Sequence, residues 1–499
     1  MIKKVYLATS YILLMKKIIL QLAGLLLIST TLLAQTTQPI KLHPQNPHYF
    51  LYKGKPTLLV GSGEHYGSVI NLGFDYKTYL QTMAQDGLNT TRLFTGAYIE
   101  KPGDFGIKNN TLAPTEQNLI LPWKRSDQTG FELGGNKFDL DKWDENYFVR
   151  LKQFMTEADH RGVIVEVNLF SSYYQHGWEY SPLNTKNNIN KTADISAALA
   201  NTLLNGNILA YQEKYVRKIV KELNGFNNFY FEVQNEPYAI QKDTVILRNE
   251  YGDVKDFRNF LEIVSQRSND WQRKVASWIK DEESKLSQRH LISQNISNFQ
   301  YPVTNPDPNI SVFNFHYALP KAVSENYYLN KVIGFNETGF AGNLNTTYRR
   351  QAWRFLMAGG ALFNMLDYSF SAGMETGRDT SYKAPGGGSP ELRKQFGILK
   401  RYFDALDIIK LHPDQQVVKA SPGAFTETLS DNNRQWIIYI EHLAMKPYNL
   451  SLNLPNGKYK AVWTDATDGT TLKSVVFNGN DIQVPDGLND KVLQISVLK

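Results

Sequence analysis

Between residues 56 and 406, eight short apolar runs alternate with helical patterns, and that alternation constrains the fold more than any other feature. The runs fall at 56–63, 88–94, 163–170, 229–235, 290–297, 312–318, 331–335 and 361–370. Helical spacing is expected at 75–85, 142–161, 208–223, about 256–285, 346–360 and 391–406, the stretch 142–161 carrying an apolar stripe of Phe148, Leu151, Phe154 and Met155. Strands that alternate with helices pair in parallel, and eight of them close into an α/β fold of the (β/α)8 TIM-barrel type. One departure is visible: the link between the fifth and sixth runs carries Pro302, Pro306 and Pro308 and is too broken for a helix.

The fourth run, FYFEVQNEPY at 229–238, reads as a strand covered on both faces, stopped by Pro237 just after Asn235 and Glu236. The seventh, KVIGFNETGF at 331–340, carries Glu337 at the corresponding place. Carboxylates beside strands this apolar are costly to desolvate unless used or paired. The C-terminal ends of barrel strands are where such folds place chemistry.

From about residue 413 the pattern changes to short alternating runs at 425–429, 435–441, 448–454, 458–463 and 492–498, separated by Asn, Gly, Pro and Asp turns. That predicts an all-β sandwich. The expected organisation is a leader at 1–34, a catalytic barrel at 35–412 opening on an N-terminal hairpin that turns at Lys53–Lys55, and a sandwich at 413–499. The leader reading rests on MKKIILQLAGLLLISTTLLAQ from Met15: two lysines, an apolar run, and Ala34 before Gln35. A retained anchor is the alternative, for which the run 18–34, interrupted by Gln21, is short. Removal of the leader takes the formal charge from +6 to about +2, far from the basic footprint of a nucleic-acid binder. The chain has no cysteine, which excludes disulfides, thiolate zinc sites and a cysteine nucleophile. The expectation is a secreted or periplasmic protein with no nucleic-acid partner and no stable membrane insertion once the leader is cut.

Two carboxylates on opposed walls of one site suit hydrolysis of a glycosidic acetal, in which one protonates the departing oxygen and the other attacks the anomeric carbon. The sequence contains no HExxH, no GxSxG elbow (Gly61, Ser62 and Gly63 form only a loop) and no GxGxxG. No metal and no cofactor are expected.

These residues resemble the clan A glycoside hydrolases, the (β/α)8 enzymes that include the cellulase-like family five. The resemblance implies a retaining enzyme acting on β-linked bonds of a plant or algal oligo- or polysaccharide, with Glu236 as acid/base and Glu337 as nucleophile. It further implies Asn235 as partner of a sugar hydroxyl, Arg92 as support for Glu337, and His316 with Tyr317 as a strand-six element, adjacent here where the family separates them. It expects burial and the charge of Glu337 to keep Glu236 protonated. Strand eight of the clan presents a tryptophan to the sugar, whereas this chain has Asp367 and Tyr368. Trp123, Trp178 and Tyr368 are candidate stacking platforms, as are Tyr98, Tyr173 and Tyr174, because sugar faces carry C–H groups that pack on rings. Glu64, His65 and Asp367 are candidate hydroxyl partners, and Glu166 either joins them or belongs to a barrel layer. The sandwich resembles the β-domain called collagen-binding in some barrel proteins. A non-catalytic carbohydrate-binding or adhesion protein on the same scaffold is the alternative, and it would be favoured by loops 96–141 or 171–206 blocking the cavity.

Overall fold

A computed structural model describes residues 38–498 apart from 249–251, 254–255, 380, 383 and 443–447; the expected leader at 1–34 lies outside them. Eight parallel strands form the barrel: β1 (Leu59–Gly63), β2 (Thr90–Phe94), β3 (Ile164–Ser171), β4 (Phe229–Asn235), β5 (Ile292–Asn298), β6 (Val312–His316), β7 (Val332–Glu337) and β8 (Leu362–Leu366). Their order is β1-β8-β7-β6-β5-β4-β3-β2. The last seam, between β1 and β2, is closed partly by a side chain. Asn89 donates its backbone N–H to Val60 O (3.1 Å), while its Oδ1 accepts from Val60 N (2.9 Å). Close approach there needs Gly61, whose missing Cβ would stand 2.5 Å from Thr90 O.

Among the described residues, seven principal helices surround the strands: α1 (Tyr76–Gln85), α2 (Glu145–His160), α3 (Ile208–Leu223), α4 (Gln266–Ser284), α5 (Pro320–Asn326), α6 (Asn345–Met357) and α7 (Pro390–Asp404). Asp75, Asp144, Ser265 and Ser389 cap α1, α2, α4 and α7 by accepting from backbone N–H groups of the first turn. As expected, the proline-broken link from β5 to β6 forms no helix. A small antiparallel sheet, Lys41–Leu42, Phe50–Tyr52 and Lys55–Thr57, covers the opposite end of the barrel, turning at Lys53 and Gly54.

Two expectations change. The stretch 256–285 is not one helix: Phe260–Val264 is a strand, antiparallel to Lys242–Leu247, and α4 begins only at Gln266. The run FLEIV is β-branched and aromatic, and Ser265 caps the helix behind it. The resulting hairpin joins the edge of β5 through the Ile263–Ser297 pairing. Likewise the excursion after β2 holds a hairpin, Trp123–Thr129 with Asn136–Trp143, so α2 starts at Glu145 rather than at residue 142.

Past α7 the chain builds a six-stranded antiparallel sheet and a three-stranded one around Trp436, Ile438, Leu450, Trp463 and Leu493. The boundary expected at 412/413 falls inside the short strand His412–Pro413. The sandwich is anchored to α6: Arg349 and Arg350 pair with the fully buried Asp490, Arg354 pairs with Glu441, and Trp353 stacks on Tyr439 at 5.6 Å and 3°. Among the described residues, no helix is long and apolar enough to cross a membrane.

Candidate active site

Strands β2, β4, β6 and β7 deliver the site. Arg92 on β2 is 1 % exposed and reaches three carboxylates across the barrel. Its Nη1 donates to Glu337 Oε2 (2.8 Å), Nη2 to Glu232 Oε2 (2.5 Å) and Asn235 Oδ1 (3.0 Å), and its Nε lies 3.1 Å from Glu166 Oε2. Three full negative charges around one guanidinium would be costly. Burial and then the charge of Glu232 lift Glu166 well above the usual carboxylate range against the pull of Arg92, and so favour its protonated form. Asn314 and Asn336 donate to both Glu166 and Glu232.

Above this layer, Glu236 and Glu337 face each other. Their carboxylates and the His316 ring each offer an atom within 4.8 Å of the others. His316 Nδ1 lies 2.8 Å from Glu236 Oε1 and 3.4 Å from Glu337 Oε1. Burial would lower the basicity of His316, but the charge of Glu337 and hydrogen bonds to both carboxylates outweigh it and raise the ring to about 9. Conversely, burial would raise Glu337, yet His316, Arg92 and the Tyr66 hydroxyl together hold it down at about 2. Glu236 also accepts from Tyr174 Oη (2.5 Å) and Tyr238 Oη (3.2 Å). Glu236, His316 and Glu337 could hold a metal ion only through an unprotonated His316, whereas the raised basicity of the ring between the two acids favours its cationic form.

Three residues here adopt positive φ without being glycine: Tyr66 (62°), Glu236 (43°) and Tyr317 (51°). Each costs about 1–3 kcal/mol and persists only where the surroundings impose it. For Tyr317 the turn lets neighbouring residues share the site: His316 meets the carboxylates from below while Tyr317 forms a wall. The inner cavity has a volume of about 50 Å³ and is also lined by His65, Glu100, Phe105 and Phe340.

The structure brings together Arg92, Asn235, Glu236, His316, Tyr317, Glu337 and His65, the last through its ring and Glu100 Oε1 at 3.1 Å. It sets four expected sugar contacts elsewhere. Glu64 is fully buried and accepts from Gly67 N, Ser68 N and Thr111 Oγ1, fixing the loop after β1. Asp367 is fully buried between Ser62 and Arg393. Trp123 packs between Trp143 and Tyr215 as loop core. Trp178 packs on Tyr173 and donates to Ile195 O. Tyr368 borders the site, buried against Phe340 and Tyr382 with its hydroxyl near the charge of Glu337. Large aromatics on long loops fold onto one another first, because burial is worth more to the free chain than an exposed platform.

Sequence reasoning missed Tyr66, Glu100, Glu232, Tyr238 and Phe340. Tyr238 and Glu232 lie inside the fourth run itself, where an acid among aromatics was the available signal. Tyr66, whose hydroxyl donates to Glu337 Oε2 (2.9 Å), follows two positions flagged as polar. Nothing local marks Glu100.

The shifts of His316 and Glu337 are one attraction viewed from either partner, so they count once. A histidine raised from 6.5 to about 9 contributes stability fully present below pH 6.5 and lost as pH climbs through 9. A glutamate depressed from 4.5 to about 2 contributes stability present above pH 4.5 and lost as pH falls through 2. Thermal midpoints across pH should therefore decline between 6.5 and 9 in wild type, and His316→Asn should lack that decline. Parallel curves for the two proteins would refute the pairing.

No protein-family model matches this chain, and no curated protein does. Solved structures do. The chain resembles a candidate glycoside hydrolase from Bacteroides vulgatus with a TM-score of 0.62 at 14 % identity, over 93 % of this chain and 83 % of that one. It resembles a glycoside hydrolase family 5 protein from the same organism at 0.59 and 13 %, over 92 % and 93 %. A third structure, named as a glycoside hydrolase, gives 0.55 and 12 %, over 92 % and 97 %. Identities this low speak for a shared architecture, barrel and C-terminal β-domain together.

Proposed function

We propose that this chain is a retaining glycoside hydrolase that cleaves β-linked bonds of a plant or algal oligo- or polysaccharide. The observation that carries the reading is the pair Glu236 and Glu337, which each offer a carboxylate oxygen within 4.8 Å of the other, the short spacing of double displacement rather than the roughly 6.5–9.5 Å of inverting sites. The family-five name of a solved structure with the same architecture supports it.

Arg92 and Tyr66 both bind Oε2 of Glu337, which leaves Oε1, approached only by the His316 ring at 3.4 Å, to attack. The C1–Oε1 bond forms as the bond from C1 to the departing oxygen breaks, and that oxygen takes its electron pair and a proton from Glu236. Glu236, now a carboxylate held by Tyr174, Tyr238 and His316, removes a proton from water. The water oxygen bonds C1, and Glu337 leaves as a carboxylate. Asn235, fixed between Arg92 and Tyr174, offers its amide to the hydroxyl beside C1. Export through the segment beginning at Met15 would place the enzyme where such glycans are found.

A second reading, sugar binding without catalysis, is favoured by the narrowness of the inner cavity, whose 50 Å³ holds about two waters. The two separate on products. Proton NMR of a hydrolysed aryl β-glycoside should show the β-anomer of the free sugar first. Glu236→Ala should slow hydrolysis of an unactivated glycan on the order of 10³-fold and, with azide, convert the aryl glycoside into a β-glycosyl azide. An α-anomer formed first would end the retaining assignment, and no turnover of any glycoside would leave the binding protein.

A further inference from the structure

Two cavities meet at Glu236, and they are not equivalent. Phe105, Tyr174, Glu236, Tyr317 and Phe340 line both. Asn235 and Glu337 line only the inner one, whereas Phe257, Glu262 and Asn298 line only the outer one, of about 250 Å³. The inserted hairpin Lys242–Leu247 and Phe260–Val264 supplies Glu262, which pairs with Lys242.

On the glycosidase reading, which this inference rests on, the ring under attack must touch both carboxylates and so occupies the inner cavity. The departing oxygen sits at Glu236, so whatever leaves extends into the outer one. Behind the ring the inner cavity ends at Tyr98, Glu100 and Leu112, none more than 3 % exposed. Glu100 is held there by His65, Tyr98 and Asn110. A separate groove of about 670 Å³, lined by Pro102, Ile107, Asn110 and Pro114 among others, shares no lining residue with the inner cavity.

We propose that the site is blind on the glycon side. It accepts one terminal sugar ring, with the hydroxyls farthest from C1 facing Glu100 and His65, and releases that ring from the non-reducing end. The remainder of the substrate leaves through the outer cavity across Phe257. Even one ring must lift Phe105 outward, and that residue sits at φ 57° between Gly103 (92°) and Gly106 (71°). On the glycon side, the buried Tyr98, Glu100 and Leu112 stand where a second ring would have to lie.

A screen of 4-nitrophenyl β-glycosides with the full chain identifies the sugar. The β-linked tetrasaccharide of that sugar, labelled at its reducing end, then tests the direction. Unlabelled monosaccharide should be released from the start, with labelled tri- and then disaccharide appearing in turn. A tetrasaccharide capped on its terminal ring by a 4,6-benzylidene group should resist. Phe257→Ala should lower kcat/KM for the disaccharide about tenfold and for the β-glycosyl fluoride, whose leaving group is a single atom, less than threefold. Labelled disaccharide formed before labelled trisaccharide, or cleavage of the capped substrate at the uncapped rate, would overturn the proposal and point to passage into the groove at Pro102–Asn110. Equal losses on both substrates would remove Phe257 from the leaving-group side. Failure of every glycoside in the first screen would strike the glycosidase reading itself, and this inference with it.

Discussion

Glu337→Gly should lose hydrolysis of aryl β-glycosides on the order of 10⁵-fold, the scale seen when an attacking group is deleted rather than misplaced, and should fold with a lower thermal midpoint because Arg92 and His316 lose a partner. The space left beside Arg92 and Tyr66 should admit azide or formate. With an activated leaving group, azide should then yield an α-glycosyl azide, because it attacks from the side Glu337 occupied. The opposite anomer is expected from Glu236→Ala, so the two products assign the two carboxylates without reference to rate. Mass spectrometry with a 2-fluoro sugar bearing a good leaving group should find the wild-type adduct on Glu337. A Glu337→Gly protein that keeps more than a tenth of its activity, or an adduct on another residue, would remove the nucleophile.

Arg92→Met should cost stability as well as activity. The guanidinium is the shared partner of Glu166, Glu232 and Glu337, and removal of one member of a buried ion cluster typically costs about 3–5 kcal/mol. The deficit should depend on pH in a defined direction. Without the arginine, buried carboxylates take up protons more readily in the fold than in the open chain. The penalty is therefore present above the unfolded value of about 4.5 and fades below it. Arg92→Lys keeps a charge but cannot fork toward three acids, so it should fall between wild type and Arg92→Met. Urea melts at pH 7 and pH 4 measure this directly. A deficit below about 1 kcal/mol, or one equal at both pH values, would mean that the carboxylates have another counter-charge.

The barrel was legible because its signal is repeated: short strand-forming runs alternate with helices that carry one apolar stripe, and errors in one unit do not disturb the next. The 260–264 strand was not, since five residues in front of a polar helix look like its first turn until the partner strand at 242–247 is known. In the site, residues on strand ends were legible, because strand position fixes direction: Arg92, Asn235, Glu236, His316 and Glu337 all stand on or just after a barrel strand. Residues on long loops were not. Trp123 and Trp178 turned inward to loop cores, while Glu100 and Phe340 came into the cavity from positions that sequence spacing leaves undetermined.

The arginine row on α6 has one more implication. That helix follows β7, the strand ending in Glu337, and its outer face is gripped by Asp490 and Glu441. The β-domain is therefore braced against the barrel at the helix behind β7 rather than carried as a tethered passenger. On the proposed function, loss of Asp490 would loosen the scaffold under Glu337 and be read as lower turnover as well as a lower melting point.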